Sequence, residues 1–455
     1  MTPTVSGVRR TTLTGWGRTQ PSVAAISHEA TIAGIAEAVR STAPGSRGIL
    51  ARGLGRSYGD AAGNAGGRVV STDQLRRIGP IDYETGEVDV ESGASIGDLL
   101  EAGVPQGWFV PVTPGTRHVS LGGAAAADVH GKNHHRDGSI GAHVVSVDLV
   151  DGLGQTHTLL RQDPRFGAVL GGMGLAGIVT RVRLSMRRVE SASLTVTTRR
   201  THDLDETMAT LVADDARHRY TVAWVDCLAG GRDLGRGVVT SGDHTVAVEG
   251  LLPPGALALD SYATGRVLPA PPWAPSGLLA PAAMHLFNEA YFRRAPGLRE
   301  GEQQSVGAFF HPLDAIGGWN RMYGRRGFVQ HQFAVADPEV VRTVLRLFER
   351  AGAPAYLAVL KRFGAGSSAP LSFPQPGWTM AVDLPARAEV GPVLDAADEL
   401  VAAAGGRVYL AKDSRMRPQL LPVMYPDLDL WRELREQLDP NHVFVSDLAR
   451  RLRLC

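Results

Sequence analysis

Lysine is almost missing from this chain. Of 47 basic residues among 455, three are lysine (Lys132, Lys361 and Lys412) and the other 44 are arginine. Cysteine is scarcer still, with Cys227 and Cys455 alone. That excludes a disulfide framework and leaves almost no material for a cysteine-based metal site. Neither charge is in excess, since 46 acidic residues leave a net charge of +1. A nucleic-acid partner is not expected without a basic surplus. No apolar run reaches the roughly 18 residues that read as a membrane-spanning helix. Arg9 and Arg10 have no apolar stretch behind them, so no secretory signal is expected either. What is present is 44% hydrophobic residues, enough for cores in two or three domains of roughly 100–200 residues each. Arginine stays charged and lysine does not always do so. The plain reading is a composition bias that replaces lysine wherever arginine will serve, and on that reading the three survivors are expected where arginine will not.

Short strands and helices alternate with glycine-rich turns. Apolar spacing (Ile32, Ile35, Ala36, Val39) predicts a helix over 26–42. Strands are expected at 67–72, 86–92, 177–187 and 193–200. A hairpin, 143–149 with 155–160, should turn at Asp-Gly-Leu-Gly. Farther on, strands at 219–225, 328–335, 355–361 and 377–383 are interleaved with helices at 205–215, 337–350 and 387–402. This is an α+β pattern in which helices cover one sheet. An apolar, Pro-rich excursion at 250–284 reads as a cover over a site, a surface for a lipid, or an interdomain connection.

Three glycine loops carry the first chemical signal. Ala51–Asp60 reads ARGLGRSYGD, where glycines let the backbone approach a ligand and successive N–H groups can form an anion nest. Alone it reads equally as a phosphate nest or a tight turn. Pro114–Gly123 (PGTRHVSLGG) runs into four alanines, and Gly171–Gly177 (GGMGLAG) is the third. Three such loops in one region point to a large nucleotide cofactor. His130, His134 and His135 lack the spacing of a zinc motif, and no metal is expected.

ARGLGRSYGD, PGTRHVSLGG, DVHGKNHH and GGMGLAGIVTRV resemble the flavin-binding half of the vanillyl-alcohol oxidase family of FAD-linked oxidases. Within it, LTGWGRT, FHPLD, GFVQHQF, LKRFG, PLSFPQPGW, YLAKDSR and VFVSDLARRL resemble members that oxidise a polyprenyl-phosphate-linked ribose. These stretches span nearly the whole chain. The resemblance implies an FAD-binding domain at 1–193 and a substrate domain at 194–404 with a mobile lid at 250–303. It also implies that 405–455 returns to the FAD domain. For the cofactor it implies Arg52, Gly53, Leu54, Gly55, Arg56, Ser57, Tyr58, Gly59 and Asp60 on the diphosphate. Gly115, Ser120, Gly122 and Gly123 follow, then His130, Gly131, Lys132 and Asn133 beside the flavin ring, with Ile178 and Tyr409. The first loop has no histidine, so FAD is expected to be non-covalent. Around the sugar the resemblance implies Tyr58, His130, Lys132, Trp224, Phe310, Gln330, Gln332, Lys361, Phe363, Ala381 and Lys412. Relatives commonly have cysteine where Ala381 stands, asparagine where Thr379 stands and tyrosine where Phe310 stands.

Oxidising a secondary alcohol removes a hydride from carbon and a proton from oxygen. A lysine whose pKa is lowered by burial can manage that proton, which makes Lys412 the first candidate and Tyr58 the second. A salt bridge from Lys412 to Asp413 or Asp383 is the structural alternative. The resemblance further implies an NAD(P)H-dependent 2-keto reductase as functional partner, completing an epimerisation that supplies cell-wall arabinan. It also implies peripheral membrane contact, on a side left open. An FAD oxidase of a soluble alditol or aldonolactone is the alternative function.

Overall fold

The computed structural model describes residues 8–246, 268–270, 279–353 and 355–454. Two four-stranded sheets build the N-terminal part. In the first, strands Arg9–Leu13, Ser22–His28, Arg68–Ser71 and Ile49–Arg52 lie in that order, the last three mutually parallel. Helix Ile32–Arg40 makes the crossover and buries Ile35, Ala36, Ala38 and Val39. It starts late because Thr31 caps it, its hydroxyl accepting from the Gly34 N–H. Residues 22–28, the last three inside the expected helix, are instead a strand in which Ser22, Ala24 and Ser27 are buried. Ile32, counted on the helix's apolar face, is 42% exposed.

The second sheet is antiparallel, in the order Glu87–Glu91, Ile178–Ser185, Val144–Val150, Thr156–Leu160. The hairpin falls where its turn predicts, and the Asp151 carboxylate holds it by accepting from the Leu153 and Gln155 N–H groups.

An eight-stranded antiparallel sheet follows. Its order is Leu298–Ser305, Ser193–Thr201, Gly237–His244, Tyr220–Val225, Leu357–Phe363, Gly377–Pro385, Phe328–Val335, Arg407–Val408. Helices Leu204–Arg217, Pro338–Arg350 and Val390–Ala403 pack on it. Side chains alternate between faces along a strand. In Phe328–Val335, His331 therefore points at the helices and bonds Asp398 at 2.8 Å. Gln330 and Gln332 point the other way, into a cavity.

Within the range expected to be a lid, 281–294 is a helix and 298–303 belongs to an edge strand. The helix is fastened to the sheet through Asn288 to Asp226 and Glu289 to Arg236. The remainder of the lid expectation, 250–267 and 271–278, lies outside the described residues. Among the described residues no helix is long and apolar enough to cross a membrane.

The last segment returns to the first sheet. Phe444 bridges Ile49 in parallel fashion. Asp447 accepts from the Ala65 N–H, and Arg451 grips Asp60 with both ends of its guanidinium.

Candidate active site

One long cleft runs between the two halves, enclosing about 1760 Å³ with its mouth included. Its first wall is backbone. Gly53, Leu54, Gly55, Arg56 and Ser57 line it, and their five successive N–H groups donate to nothing among the described residues. Unpaired amides in a glycine turn are an anion nest. Gly115, Ser120, Gly122, Gly123 and Gly174 continue the wall. A Cβ on Gly115 or Gly174 would meet no atom within 4 Å, so the space beside each belongs to the cleft. Gly122 presses on Ser92, where a Cβ would stand 2.6 Å from the serine Cβ. Nested amides, small residues and the Arg56 guanidinium, stacked 4.0 Å over Trp16, fit a flavin dinucleotide diphosphate in size and charge.

The opposite wall is side chains from the sheet and the loop after it. Gln330, Gln332, Leu357, Val359, Lys361 and Ala381 face the cleft from three adjacent strands. Tyr409 and Lys412 come from the loop after Arg407–Val408, which is stitched to the first glycine loop by Tyr58 N–H to Ala411 O at 3.0 Å. Gly59 makes that stitch possible, because any Cβ there would sit 1.9 Å from the Asp413 carbonyl oxygen. The Lys412 ammonium therefore lies 3.6 Å above the Tyr58 ring.

Electrostatics here are set by burial. Desolvation lowers Lys412 to about 7, opposed by the Asp383 carboxylate and reinforced by Lys361. Lys361 falls to about 8 by burial. Both lysines are half-buried and line the cleft. Desolvation raises Asp383 to about 7, against Gln330 and Lys412, which favour its charge. Tyr58 stays a neutral phenol, pushed up by burial and then by Asp383. His130 stays a neutral imidazole, held down by burial and the nearby Lys361. Its Nε2 bonds Gln332, which also donates to Thr379. The proposed salt bridge from Lys412 to Asp413 is absent, because the Asp413 carboxylate pairs with Arg451 at 2.8 Å and accepts from the Arg415 and Met416 N–H groups.

Several expected site residues do not line the cleft. The Arg52 guanidinium donates to Thr14 O and Ala62 O, bracing the loop from beneath. Asp60 is taken by Arg451, and Gly59 by its contact with Asp413. Gly131 is wedged against Thr113, and Asn133 bonds Pro111 O and Asp137. Ile178 is a core residue packed with Ile35 and Phe444. Lys132 donates to Phe309 O and sits 4.2 Å over the Phe309 ring, lowered to about 7 first by burial and then by Lys361. Phe310 is locked in a buried aromatic cluster with Phe109 and Tyr220. Phe363 stands behind His130 at 4.8 Å, and Trp224 packs on Tyr291 of the fastened helix at 4.7 Å. His134 accepts from the Gly364 N–H, and His135 bonds His218 O. Tyr409 lines the cleft with its hydroxyl already given to Ala127 O.

The cleft also recruits Trp16, Thr116, Met173, Leu313 and Trp319, to which no role was assigned from sequence. A signal existed for four of them, since Thr116 lies in PGTRHVSLGG and Met173 in GGMGLAG. Trp16 lies in LTGWGRT and Leu313 in FHPLD, and the latter docks through Asp314 onto Thr116 and Arg117.

A cleft with a diphosphate nest on one wall and titratable side chains on the other defines an FAD-dependent oxidoreductase. Residues 23–160 match the FAD binding domain family, and 377–452 match the D-arabinono-1,4-lactone oxidase family. Decaprenylphosphoryl-beta-D-ribose oxidase of Mycolicibacterium smegmatis is 40% identical over 451 residues, 97% of either chain, and this chain belongs to that family. A Streptomyces coelicolor protein described as an uncharacterized protein in the mprA 5' region is 43% identical over 368 residues, 78% of this chain and 99% of its own. L-gulonolactone oxidase 3 of Arabidopsis thaliana is 28% identical over 136 residues, 28% of this chain and 23% of its own.

Proposed function

We propose that the protein oxidises the 2-hydroxyl of the ribose in decaprenylphosphoryl-β-D-ribose to the 2-keto sugar, with non-covalent FAD. The observation that carries this is Lys412, a lowered-pKa amine held over Tyr58 on the wall facing the diphosphate nest. When bound, FAD supplies the two-electron acceptor for the hydride. The first glycine loop and Gly115–Gly123 hold it through backbone, and the loop at 52–60 offers no histidine or cysteine for a covalent link.

This chain's side chains manage the sugar and its proton. Gln330 and Gln332 present amides to the ribose hydroxyls. Lys361 carries positive charge below about pH 8 and suits a phosphate or hydroxyl oxygen. Lys412 takes the hydroxyl proton, and near its pKa both of its forms are populated at neutral pH. Tyr58 packs under the ammonium and donates from its protonated phenol. The 2-keto product calls for a separate NAD(P)H-dependent reductase, and the prenyl tail for contact with a membrane surface.

Anaerobic mixing of the FAD-loaded protein with decaprenylphosphoryl ribose should bleach the flavin absorption band. The match of 377–452 to a lactone oxidase family supports a second reading, oxidation of a soluble alditol or aldonolactone. Equal bleaching by a soluble alditol or lactone would replace the first reading with the second.

A further inference from the structure

Asp383 stands behind the cleft and has no part in the chemistry so far. Its side chain is fully buried on strand Gly377–Pro385, directly opposite Gln330 and on the same face as Ala381. Gln330 Nε2 donates to its Oδ1. Gln330 and the Tyr323 phenol are the neutral donors acting on the carboxylate. A buried carboxylate held by neutral donors alone is costly unless it is neutralised or paired. The cation acting on it is Lys412, which lies beyond direct ion-pair contact, so the two are neighbours without being locked together.

We propose that Asp383 is the positioning partner of Lys412, a buried carboxyl that shares one proton with the lysine and so keeps its amine basic enough to take the proton of the alcohol. This rests on the reading of Lys412 as the group that manages that proton. With the shared proton on Asp383, Lys412 is a neutral amine. The alcohol O–H bond then breaks toward Nζ and forms an ammonium, while the C–H electron pair leaves as hydride to the acceptor that FAD provides. With the shared proton on Lys412, the ammonium can orient the hydroxyl but cannot accept from it. Lys412 also faces Lys361 and the Tyr58 ring, and Asp383 also faces the phenols of Tyr323 and Tyr58. Both phenols are raised and stay neutral through the neutral range. Lys361 loses its charge near pH 8, after the pair.

The scarcity of lysine makes the test direct. FAD-loaded protein labelled with [13Cε]lysine gives three side-chain signals, one per lysine, and that of Lys412 is the one missing from Lys412→Met. In the unsubstituted protein the Lys412 signal should titrate in two stages, as a coupled pair does. In Asp383→Asn, which keeps the shape, it should titrate in one stage with its midpoint lower by about one pH unit or more. A midpoint that stays within about 0.3 unit overturns the proposal, being well under the shift a neighbouring charge produces. If Asp383→Asn does not retain FAD, Gln330→Met serves instead. Removing that donor disfavours the carboxylate, so the Lys412 midpoint should again fall, and an unchanged midpoint overturns the pairing. The two readings separate cleanly. Flavin bleaching by substrate in Lys412→Met would sink the role of Lys412 even with the coupling present. A silent Lys412→Met with no coupling would sink Asp383 alone.

Discussion

The two walls of the cleft work by opposite means. The wall formed by residues 53–57 and 115–123 presents backbone N–H groups and hydrogen atoms where other residues carry a Cβ. The sheet wall presents lysines, glutamines and a tyrosine whose protonation is set by burial. A backbone wall tolerates almost no added atom but is indifferent to pH. A side-chain wall tolerates isosteric change but is governed by charge. Cofactor binding and proton handling should therefore fail independently.

The strongest break of that contrast is Lys412→Met. Loss of the group that takes the proton should slow substrate-dependent bleaching by about 10²–10⁴-fold, while FAD content measured by absorbance stays unchanged. In the unsubstituted protein the bleaching rate should rise as pH increases through about 7, because the neutral amine is the competent form.

Gly59→Ala attacks the seam behind the backbone wall. Its Cβ would lie 1.9 Å from the Asp413 oxygen, and such overpacking costs about 1–3 kcal/mol or more. A lowered Tm and loss of FAD on gel filtration are expected. Since Gly59 holds the stitch that places Lys412, this variant also shows where the two walls touch.

Lys361→Met should stabilise the protein in a pH-dependent way. The folded-state pKa of Lys361 is lowered from 10.5 to about 8, so below pH 8 the fold carries the whole cost of a buried charge. That cost fades as pH rises from 8 to 10.5, where the unfolded chain binds more protons than the folded one. The gain in Tm should be larger at pH 7 than at pH 10.

Ala381→Cys should be the mildest. Volume changes little, so turnover should stay within a few-fold, yet a thiol-directed reagent should now block the cleft. Cys227, buried with its thiol pushed up by desolvation, does not compete.

The backbone wall was the more legible in sequence. Gly53, Gly55, Gly115, Gly122 and Gly123 all line the cleft, because glycine clusters announce close approach whatever the partner. Period-two spacing in GFVQHQF placed Gln330 and Gln332 on one face without help from the rest of the fold. What the sequence hid was direction and distance. Arg52 and Asp60 sit in the right loop but point beneath it, and their partners lie in remote segments. The edge strand Leu298–Ser305 reads LREGEQQS and is mostly exposed, so it has no apolar alternation to find. The end of strand 22–28, residues 26–28, was absorbed into the helix expected at 26–42, because a short Ala- and Ile-bearing run carries little period of its own.

The grip of Arg451 on Asp60 joins residues 391 apart, and the same guanidinium reaches Asp413. Contacts this distant in sequence form late and slowly. A nascent chain can shape the first sheet early, but its phosphate loop gains the Arg451 clasp only after residue 451 has left the ribosome. Flavin loading thus waits on a segment 391 residues downstream of the loop it secures, and a chain truncated before residue 451 should emerge colourless.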